Sequence, residues 1–351
     1  MKNKIKEPVR LHANENFYGC SPTVAQAIKK NIKNVSHYSA IPLRLEEKLA
    51  QMFGVQQNNI VVSGGSVRLI DGIIQTFAEH DEEVIFFDRS FVAYEQLAVS
   101  HRRKHLLATQ TNYTCDVEQI FPLITKKTSV IFIDNPNNPT GTIITHDQLE
   151  KLLKNISKKI IVVIDEAYGE YVTDKSFPDS ISLQKTFPNL IILRTFSKIY
   201  GLAGLRIGYA IAEEKIAGQL KINRIPFFFN TFSEDAALAA LADDKFIKQC
   251  TKANDAERKY LFTKIKSAGY NVVASQANFV YVYFDTEEEK ETVFQQLLDV
   301  GLLVCNLKVF GLQKSLRIGV GDRKTNTEIV LCLQNLKKSS KKKMVSSQAV
   351  S

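Results

Sequence analysis

Short apolar runs alternate along the chain with longer segments of helical period, the pattern of strand–helix–strand units on a mostly parallel sheet. Strands are predicted at Asn59–Ser63, Glu83–Phe87, Ser129–Asp134, Lys159–Asp165 and Leu190–Arg194. Each is rich in Val, Ile or Phe and bounded by polar or turn residues. The unbroken apolar run Ile160–Ile164 predicts a strand buried on both faces, because a one-sided strand would alternate. Ser66–Ala78 and His146–Asn155 read as helices, the second opening on Thr145 as its N-cap.

After Arg224-Ile-Pro226 the pattern changes. A long helical stretch from about Phe232 carries five alanines and runs on through charged residues toward Ala268-Gly269. Strands near Asn278–Phe284 and Ser315–Val320 then flank a helix near Glu287–Val300. The expectation is α/β: a large domain with a mostly parallel central sheet, then a smaller α+β domain.

A chain of 351 residues buries a sizeable core, and its length suggests two domains. The charged opening Met1-Lys-Asn-Lys-Ile-Lys-Glu-Pro8 leads into no apolar segment, so neither signal peptide nor membrane span is expected. Five scattered cysteines, with no Cys-x-x-Cys, read as reduced thiols of a cytoplasmic protein rather than a zinc site. The net charge of +9 includes Lys337, Lys338 and Lys341–Lys343; nine minus these five leaves four. The tail is read as a solvated, frayed terminus rather than a contact for nucleic acid or membrane, since no RNA-recognition signature or basic–aromatic interleaving accompanies it.

Candidate chemistry gathers at the predicted C-terminal ends of the strands, the edge where open α/β sheets bind ligands. Val62-Ser63 leads into Gly64-Gly65-Ser66 and a helix, which suits anion capture by backbone N–H groups. Asp134 leads into Asn135-Pro-Asn-Asn-Pro-Thr-Gly141, Ile164 into Asp165-Glu-Ala-Tyr168, and Arg194 into Thr195-Phe-Ser-Lys198. A pyridoxal enzyme needs this set. A buried carboxylate such as Asp165 keeps a ring nitrogen protonated, and Asn138 and Tyr168 can donate to a phenolic oxygen. Lys198 can form an imine and shuttle a proton. Ser197, Arg206 and the Gly64-Gly65-Ser66 turn can hold a phosphate, and Phe91 can stack on a ring. Each residue alone has a plainer reading, as a turn, a strand end or a surface lysine. It is their order along one edge that argues for the site.

On Asn14-Glu-Asn-Phe-Tyr-Gly19, Asp134–Thr142, Val163–Tyr168, Leu193–Lys198, Gly204–Tyr209 and Ser315–Gly321, the chain resembles fold-type I pyridoxal-phosphate aminotransferases of class I/II. Within that group it is most similar to histidinol-phosphate aminotransferases, from about Leu11 to Asp322. The resemblance implies pyridoxal 5'-phosphate on Lys198 as an internal Schiff base. Asp165 pairs the ring nitrogen, and Asn138 and Tyr168 hold the phenolate. Ser197 and Arg206 hold the phosphate, Ser66, Val67 and Thr195 are further cofactor-binding residues, and Tyr38 reaches the phosphate from a neighbouring subunit of a homodimer with shared active sites. Tyr18 and Arg317 are the expected substrate contacts. The implied reaction interconverts histidinol phosphate and 2-oxoglutarate with imidazole-acetol phosphate and glutamate, in histidine biosynthesis. Its small-molecule partners are thus an amino donor and a 2-oxo acid acceptor. The implied layout is an arm over 1–40 joining the small domain and dimer interface, a cofactor-binding domain over 41–230, a small domain over 231–336 and a basic tail over 337–351.

The pattern breaks in places. Val67-Arg68 stands where the family has Asp-Glu, and Arg68 either faces solvent or adds a cation beside the phosphate turn. Cys305 stands where the family often has an arginine that helps bind the substrate's distal phosphate. Phe227-Phe-Phe229 is read as packing rather than as a change of pocket shape. These departures keep open another substrate of the same fold, an aromatic or biosynthetic amino acid, or a threonine-phosphate-type decarboxylation. His101 and His105 have metal-compatible spacing, but their segment His-Arg-Arg-Lys-His is cationic, so no metal and simple exposure are expected.

Overall fold

A computed structural model describes residues 7–224 and 227–348; the expectations for 1–6, 225–226 and 349–351 lie outside these. The first strand, β1 (Val9–Arg10), belongs to the small domain. The large domain holds β2 (Ile60–Ser63), β3 (Glu83–Phe87), β4 (Lys104–Ala108), β5 (Thr128–Asp134), β6 (Ile161–Asp165), β7 (Leu190–Thr195) and β8 (Gly208–Ile211). They form one sheet in the order β2-β8-β7-β6-β5-β3-β4. Only β8 runs antiparallel to its neighbours, so the sheet is mostly parallel as expected. All five predicted strands are present within two residues at either end. Two were missed. Strand β4 is an edge strand whose sequence, Lys-His-Leu-Leu-Ala, is partly cationic, and β8 is short and begins on a glycine.

Two apolar cores flank this sheet. One face packs Ile85, Ile133, Ile164 and Ile192 with helices α1 (Pro22–Asn31) and α2 (Leu43–Phe53). The other packs Val84, Phe132, Val163 and Leu193 under α3 (Ser66–Phe77) and α4 (Ala93–Ser100). Alternate residues of β5, β6 and β7 thus serve opposite cores, which accounts for their continuous apolarity. Helix α5 (His146–Asn155) carries the expected cap as a reciprocal box: Gln148 N–H donates to Thr145 Oγ1 at 3.3 Å, and Thr145 N–H to Gln148 Oε1 at 2.8 Å. Helices α6 (Ser180–Thr186) and α7 (Glu214–Ile222) complete the large-domain set.

The long helix predicted from Phe232 is in fact two, α8 (Ser233–Leu241) and α9 (Asp244–Ser267). Asp243 ends the run by capping α9, its Oδ1 accepting from Phe246 N–H at 3.0 Å, while Oδ2 accepts from Ser21 at 2.5 Å. The expected boundary at 230/231 moves with it. Ala236, Ala237 and Ala240 of α8 bury in the large core, whereas Leu261 and Ile265 of α9 bury in the small one. The passage between cores therefore falls within α9.

The small domain contains β9 (Asn271–Val273), β10 (Phe279–Tyr283), α10 (Glu287–Asp299), β11 (Leu302–Leu303), β12 (Cys305–Asn306) and β13 (Ser315–Gly319), closed by α11 (Arg323–Gln348). Its antiparallel sheet runs β12-β13-β10-β9, and β1 pairs in parallel with β11. Leu11 extends that junction: its N–H donates to Leu303 O, and its carbonyl accepts from Gly319 N–H, both at 2.9 Å. The expected frayed tail from 337 is a correction, since α11 is helical to Gln348. Lys337 helps carry the helix on, reaching Glu289 at 2.6 Å and lying 4.4 Å from the Tyr270 ring centre.

Candidate active site

The C-terminal ends of β5, β6 and β7 come together, with Asp134 and Asp165 directly opposite in the ladder. They open into a cavity of about 280 Å³ that also reaches the N-terminal segment Ala13–Glu15 and the small-domain residues Phe310 and Arg317. Ser66, Val67, Phe91, Asn138, Asp165, Tyr168, Thr195, Ser197, Lys198, Arg206 and Arg317 all line it. Two expected residues do not. Tyr18 lines a separate small cleft with Tyr171 and Cys250. Tyr38 is 80% exposed and packs on Phe227 with ring centres 4.3 Å apart, outside the cavity of its own chain.

One end of the cavity is built for an anion. Gly65 takes φ +97° and caps α3 without a side chain, so the first turn presents its N–H groups. A Cβ on Gly65 would lie 2.6 Å from Arg206 Nη2, so glycine there keeps the guanidinium in place. Gly208 is needed for the same reason, since a Cβ on it would stand 2.3 Å from the Ser66 nitrogen. Arg206 itself is left-handed at φ +53° and donates to Ala203 O at 3.0 Å and to Ser197 Oγ at 3.4 Å. Backbone N–H groups, hydroxyls and a guanidinium on one wall are the donor set a phosphate takes.

The opposite wall is acidic and deeply buried. Burial pushes Asp165 up to about 6, against the lowering effect of a hydrogen bond from Tyr94 Oη at 3.1 Å. Burial likewise pushes Asp134 up to about 7. Asp134 shapes the Asn-Pro-Asn-Asn turn, in which the Asn135–Pro136 peptide is cis: it accepts from Asn138 N–H at 2.7 Å and from Asn137 Nδ2 at 2.9 Å. Lys198 lies between the walls. Burial first, then Arg317, lowers its amine to about 8, with Glu15 and Asp165 opposing. It donates to Ala13 O at 3.2 Å and sits 5.5 Å from the centre of the Tyr168 ring. Burial raises Tyr168 to about 12, so its hydroxyl keeps its proton and can donate. Asn14 Nδ2 donates to that hydroxyl at 2.9 Å.

Arg317 joins the two domains at the cavity. Nη1 donates to Asn138 Oδ1, Nη2 donates to His12 O at 2.8 Å, and Nε is buried without a partner. Since Asn138 accepts through its oxygen, its amide nitrogen remains free to donate. The rings of Phe279 and Phe310 lie 5.3 and 5.6 Å from the guanidinium. An anion cradle, a lysine of lowered pKa, a buried carboxylate and two phenolate donors fit pyridoxal 5'-phosphate as a donor set. Sequence reasoning assigned no role to Asp134, Tyr94, Glu15 or Phe310. The first three stand in or near motifs quoted above, but Phe310 carries no signal in one sequence.

The departures are placed too. Arg68 pairs with Asp71 at 2.7 Å and is 44% exposed, a helix-surface contact. Cys305 lies opposite Arg317 in the ladder and does not line the cavity. Simple exposure of the two histidines is corrected: His101 bonds Asp71 at 2.6 Å, and His105 stacks on Phe86 at 5.4 Å. No metal-binding cluster occurs among the described residues.

The chain is 34% identical to the histidinol-phosphate aminotransferase of Moorella thermoacetica, over 95% of this chain and 86% of the relative. It is 35% identical to histidinol-phosphate aminotransferase 2 of Carboxydothermus hydrogenoformans, over 92% and 89%. The fold matches the histidinol-phosphate aminotransferase of Sinorhizobium meliloti, solved in complex with pyridoxal-5'-phosphate, with a TM-score of 0.87 at 24% identity over 95% of this chain and 92% of that one. The family model for aminotransferase class I and II matches residues 6–332, and the chain belongs to that family.

Proposed function

We propose that this protein is a pyridoxal-phosphate aminotransferase that exchanges the amino group of histidinol phosphate with 2-oxoglutarate, in histidine biosynthesis. The observation that carries the reading is the meeting of Lys198, Asp165, Asn138, Tyr168, Ser197 and Arg206 in one cavity with Arg317. Relatives at 34–35% identity that bear this activity's name support the substrate.

The bound cofactor supplies an electron sink for the carbanion left when a donor loses its α-proton. The rest is work for the chain's own groups. Ser66, Val67, Thr195, Ser197 and Arg206 hold the phosphate, and Phe91 flanks the ring. Asp165, oriented by Tyr94, keeps the ring nitrogen protonated, while Asn138 and Tyr168 donate to the phenolic oxygen. Lys198 anchors the cofactor and then carries a proton at the donor's α-carbon, a task suited to an amine near 8. Arg317 takes the substrate's anionic end through the N–H it leaves unpaired.

The working unit we propose is a homodimer. Tyr38, Ile32, Val35, Ile41 and Leu43 expose an apolar surface around the N-terminal arm, and a second copy covering it would bring Tyr38 to the partner's phosphate cradle. We place the enzyme in the cytoplasm on its five free thiols. No described helix is long and apolar enough to cross a membrane.

The test is an absorbance screen of amino donors against the purified, cofactor-loaded protein. Histidinol phosphate should convert the bound cofactor to its amino form, and 2-oxoglutarate should restore it. Negligible exchange with histidinol phosphate would sink the substrate reading. Release of carbon dioxide without a keto product would replace transfer by decarboxylation.

A further inference from the structure

The chain from His12 to Asn16 runs between the two domains and is held at every residue. Arg317 and Lys198 donate to the carbonyls of His12 and Ala13, at 2.8 and 3.2 Å. Asn278 Nδ2 donates to the carbonyls of Asn14 and Glu15, both at 3.1 Å. Asn16 Nδ2 donates to Ile199 O at 2.7 Å. Groups of the small and the large domain thus fix one short segment, of which Ala13, Asn14 and Glu15 line the cavity.

In the middle of it stands Asn14, buried and left-handed at φ +55°. Asparagine tolerates that conformation better than most residues, and glycine better still, so the backbone alone asks for no side chain. The side chain makes one hydrogen bond: Nδ2 donates to Tyr168 Oη at 2.9 Å, while Oδ1 is buried without a partner. The reverse orientation of the amide would orphan its N–H groups instead, the rarer and costlier arrangement.

The Tyr168 oxygen therefore accepts from Asn14, and its one proton has to find an acceptor elsewhere. None is present among the described residues. Burial keeps that proton in place by raising the hydroxyl to about 12. The ring is held edge-on against Phe279, with centres 5.2 Å apart. A fixed ring with one lone pair taken has its O–H left for the cavity that Tyr168 lines.

We propose that Asn14 is a positioning residue for Tyr168: by donating to its oxygen, Asn14 commits the hydroxyl proton to the cofactor's phenolic oxygen. A hydroxyl that also accepts is the stronger donor, because each bond polarises the next. A firmer bond makes the phenolic oxygen less basic, so the cofactor linked to Lys198 releases its proton at a lower pH.

This inference rests on the cofactor and not on the amino donor, so the histidinol-phosphate reading can fail without touching it. Wild type, N14G, Y168F and N14G/Y168F are loaded with pyridoxal 5'-phosphate and titrated without substrate, following the absorbance of the bound cofactor. The midpoint should rise by about half a pH unit in N14G and by about one in Y168F. In the Y168F background N14G should add nothing, since the group it acts through is gone. N14D keeps the shape but accepts from Tyr168 instead of donating, and should raise the midpoint at least as far as N14G. Part of that rise should vanish in N14D/Y168F, the remainder being the effect of its charge. A midpoint that stays or falls in N14G, or that is absent from wild type, overturns the proposal. So does a rise that either variant keeps in full without the Tyr168 hydroxyl.

Discussion

Tyr94 Oη donates to Asp165 Oδ2 across 3.1 Å, from a side chain wholly shut off from solvent. The bond favours the ionised carboxylate against a burial that pushes it up to about 6. Phenylalanine at 94 removes the donor and leaves the ring, which stacks on Phe132 at 4.9 Å. Asp165 should then rise further and hold the cofactor's ring nitrogen less firmly. The expected outcome is a kcat/KM reduced about tenfold, with the pH profile's acid limb moved upward. The stability loss should be about 1 kcal/mol, read by denaturant unfolding. An unmoved acid limb would show that Tyr94 acts only in packing.

Lys198 offers a second pH test with the opposite sign. Its amine is lowered to about 8, and only the neutral amine can attack the cofactor's carbonyl carbon. Capture of cofactor by the cofactor-free protein should therefore speed up as pH rises and level off above about 8, followed by stopped-flow absorbance. K198A should lose amino-group transfer altogether. K198R should not restore it, because a guanidinium keeps its proton.

The strands and their chemistry were legible because a sheet buried on both faces writes itself as unbroken Val, Ile and Phe, and three of the runs lead directly into Asp134, Asp165 and the Thr195–Lys198 stretch. Asp134, Asp165 and Lys198 could be placed on one edge from that alone. What stayed hidden depends on pairing at a distance. Strand β4 is cationic because it lies at the edge, where Lys104 can reach Glu83 at 2.7 Å. The break between α8 and α9 hinges on Asp243, which in sequence is one more acid in a charged helix. Tyr18 was assigned to the pocket by resemblance, and in the structure it lines a neighbouring cleft. Phe310 enters the cavity from 112 residues beyond Lys198 in the chain, with nothing local to announce it.

Three buried carboxylates make the cofactor-free protein sensitive to pH. Asp165 is raised to about 6, and Asp134 and Glu170 each to about 7, burial being the largest cause in every case. A raised acid binds its proton more tightly in the folded than in the unfolded chain. Its contribution is therefore complete below the unfolded value and is lost as pH rises through the folded one. The melting temperature of the cofactor-free protein should fall between about pH 5 and pH 7. D134N should flatten that slope. Cofactor should flatten it as well, because a protonated ring nitrogen favours ionised Asp165. A melting temperature that climbs over this interval would contradict the assignment.

The exposed apolar surface of the N-terminal arm predicts assembly. Sedimentation should give twice the chain mass, and replacing Val35 and Ile41 by Asp should shift the protein toward monomer. Y38F should stay dimeric yet bind cofactor more weakly, since the proposal has its hydroxyl reach the partner's phosphate. Mixing K198A with Y38F chains checks this directly. In a mixed dimer, the one site that keeps Lys198 lies in the Y38F chain and receives its Tyr38 from the K198A chain. Intact cofactor affinity at that site is the expected result, and an affinity no better than that of the Y38F homodimer would place Tyr38 elsewhere.

Beneath the site, Arg194 forms the tightest buried ion pair of the large domain's central strands. Nη2 and Nε donate to Glu166 Oε2 at 2.7 and 3.0 Å, Glu166 is fully buried, and Ser180 Oγ donates to its other oxygen at 2.5 Å. Glu170 stands 3.9 Å from the same guanidinium, with both oxygens buried and without hydrogen-bond partners. Methionine at 194 keeps most of the volume and removes the charge. It strands Glu166, and Glu170 loses the cation that holds its pKa down. Breaking a buried pair from one side costs about 3–5 kcal/mol, more than a methyl-sized cavity at the same place. Replacing both members, as in R194M/E166L, removes the stranded charge and should return a good part of that loss. Urea denaturation of the two variants reads the difference. If the single variant proved as stable as the double, the ion pair would not be what holds β6 and β7 together beneath Lys198.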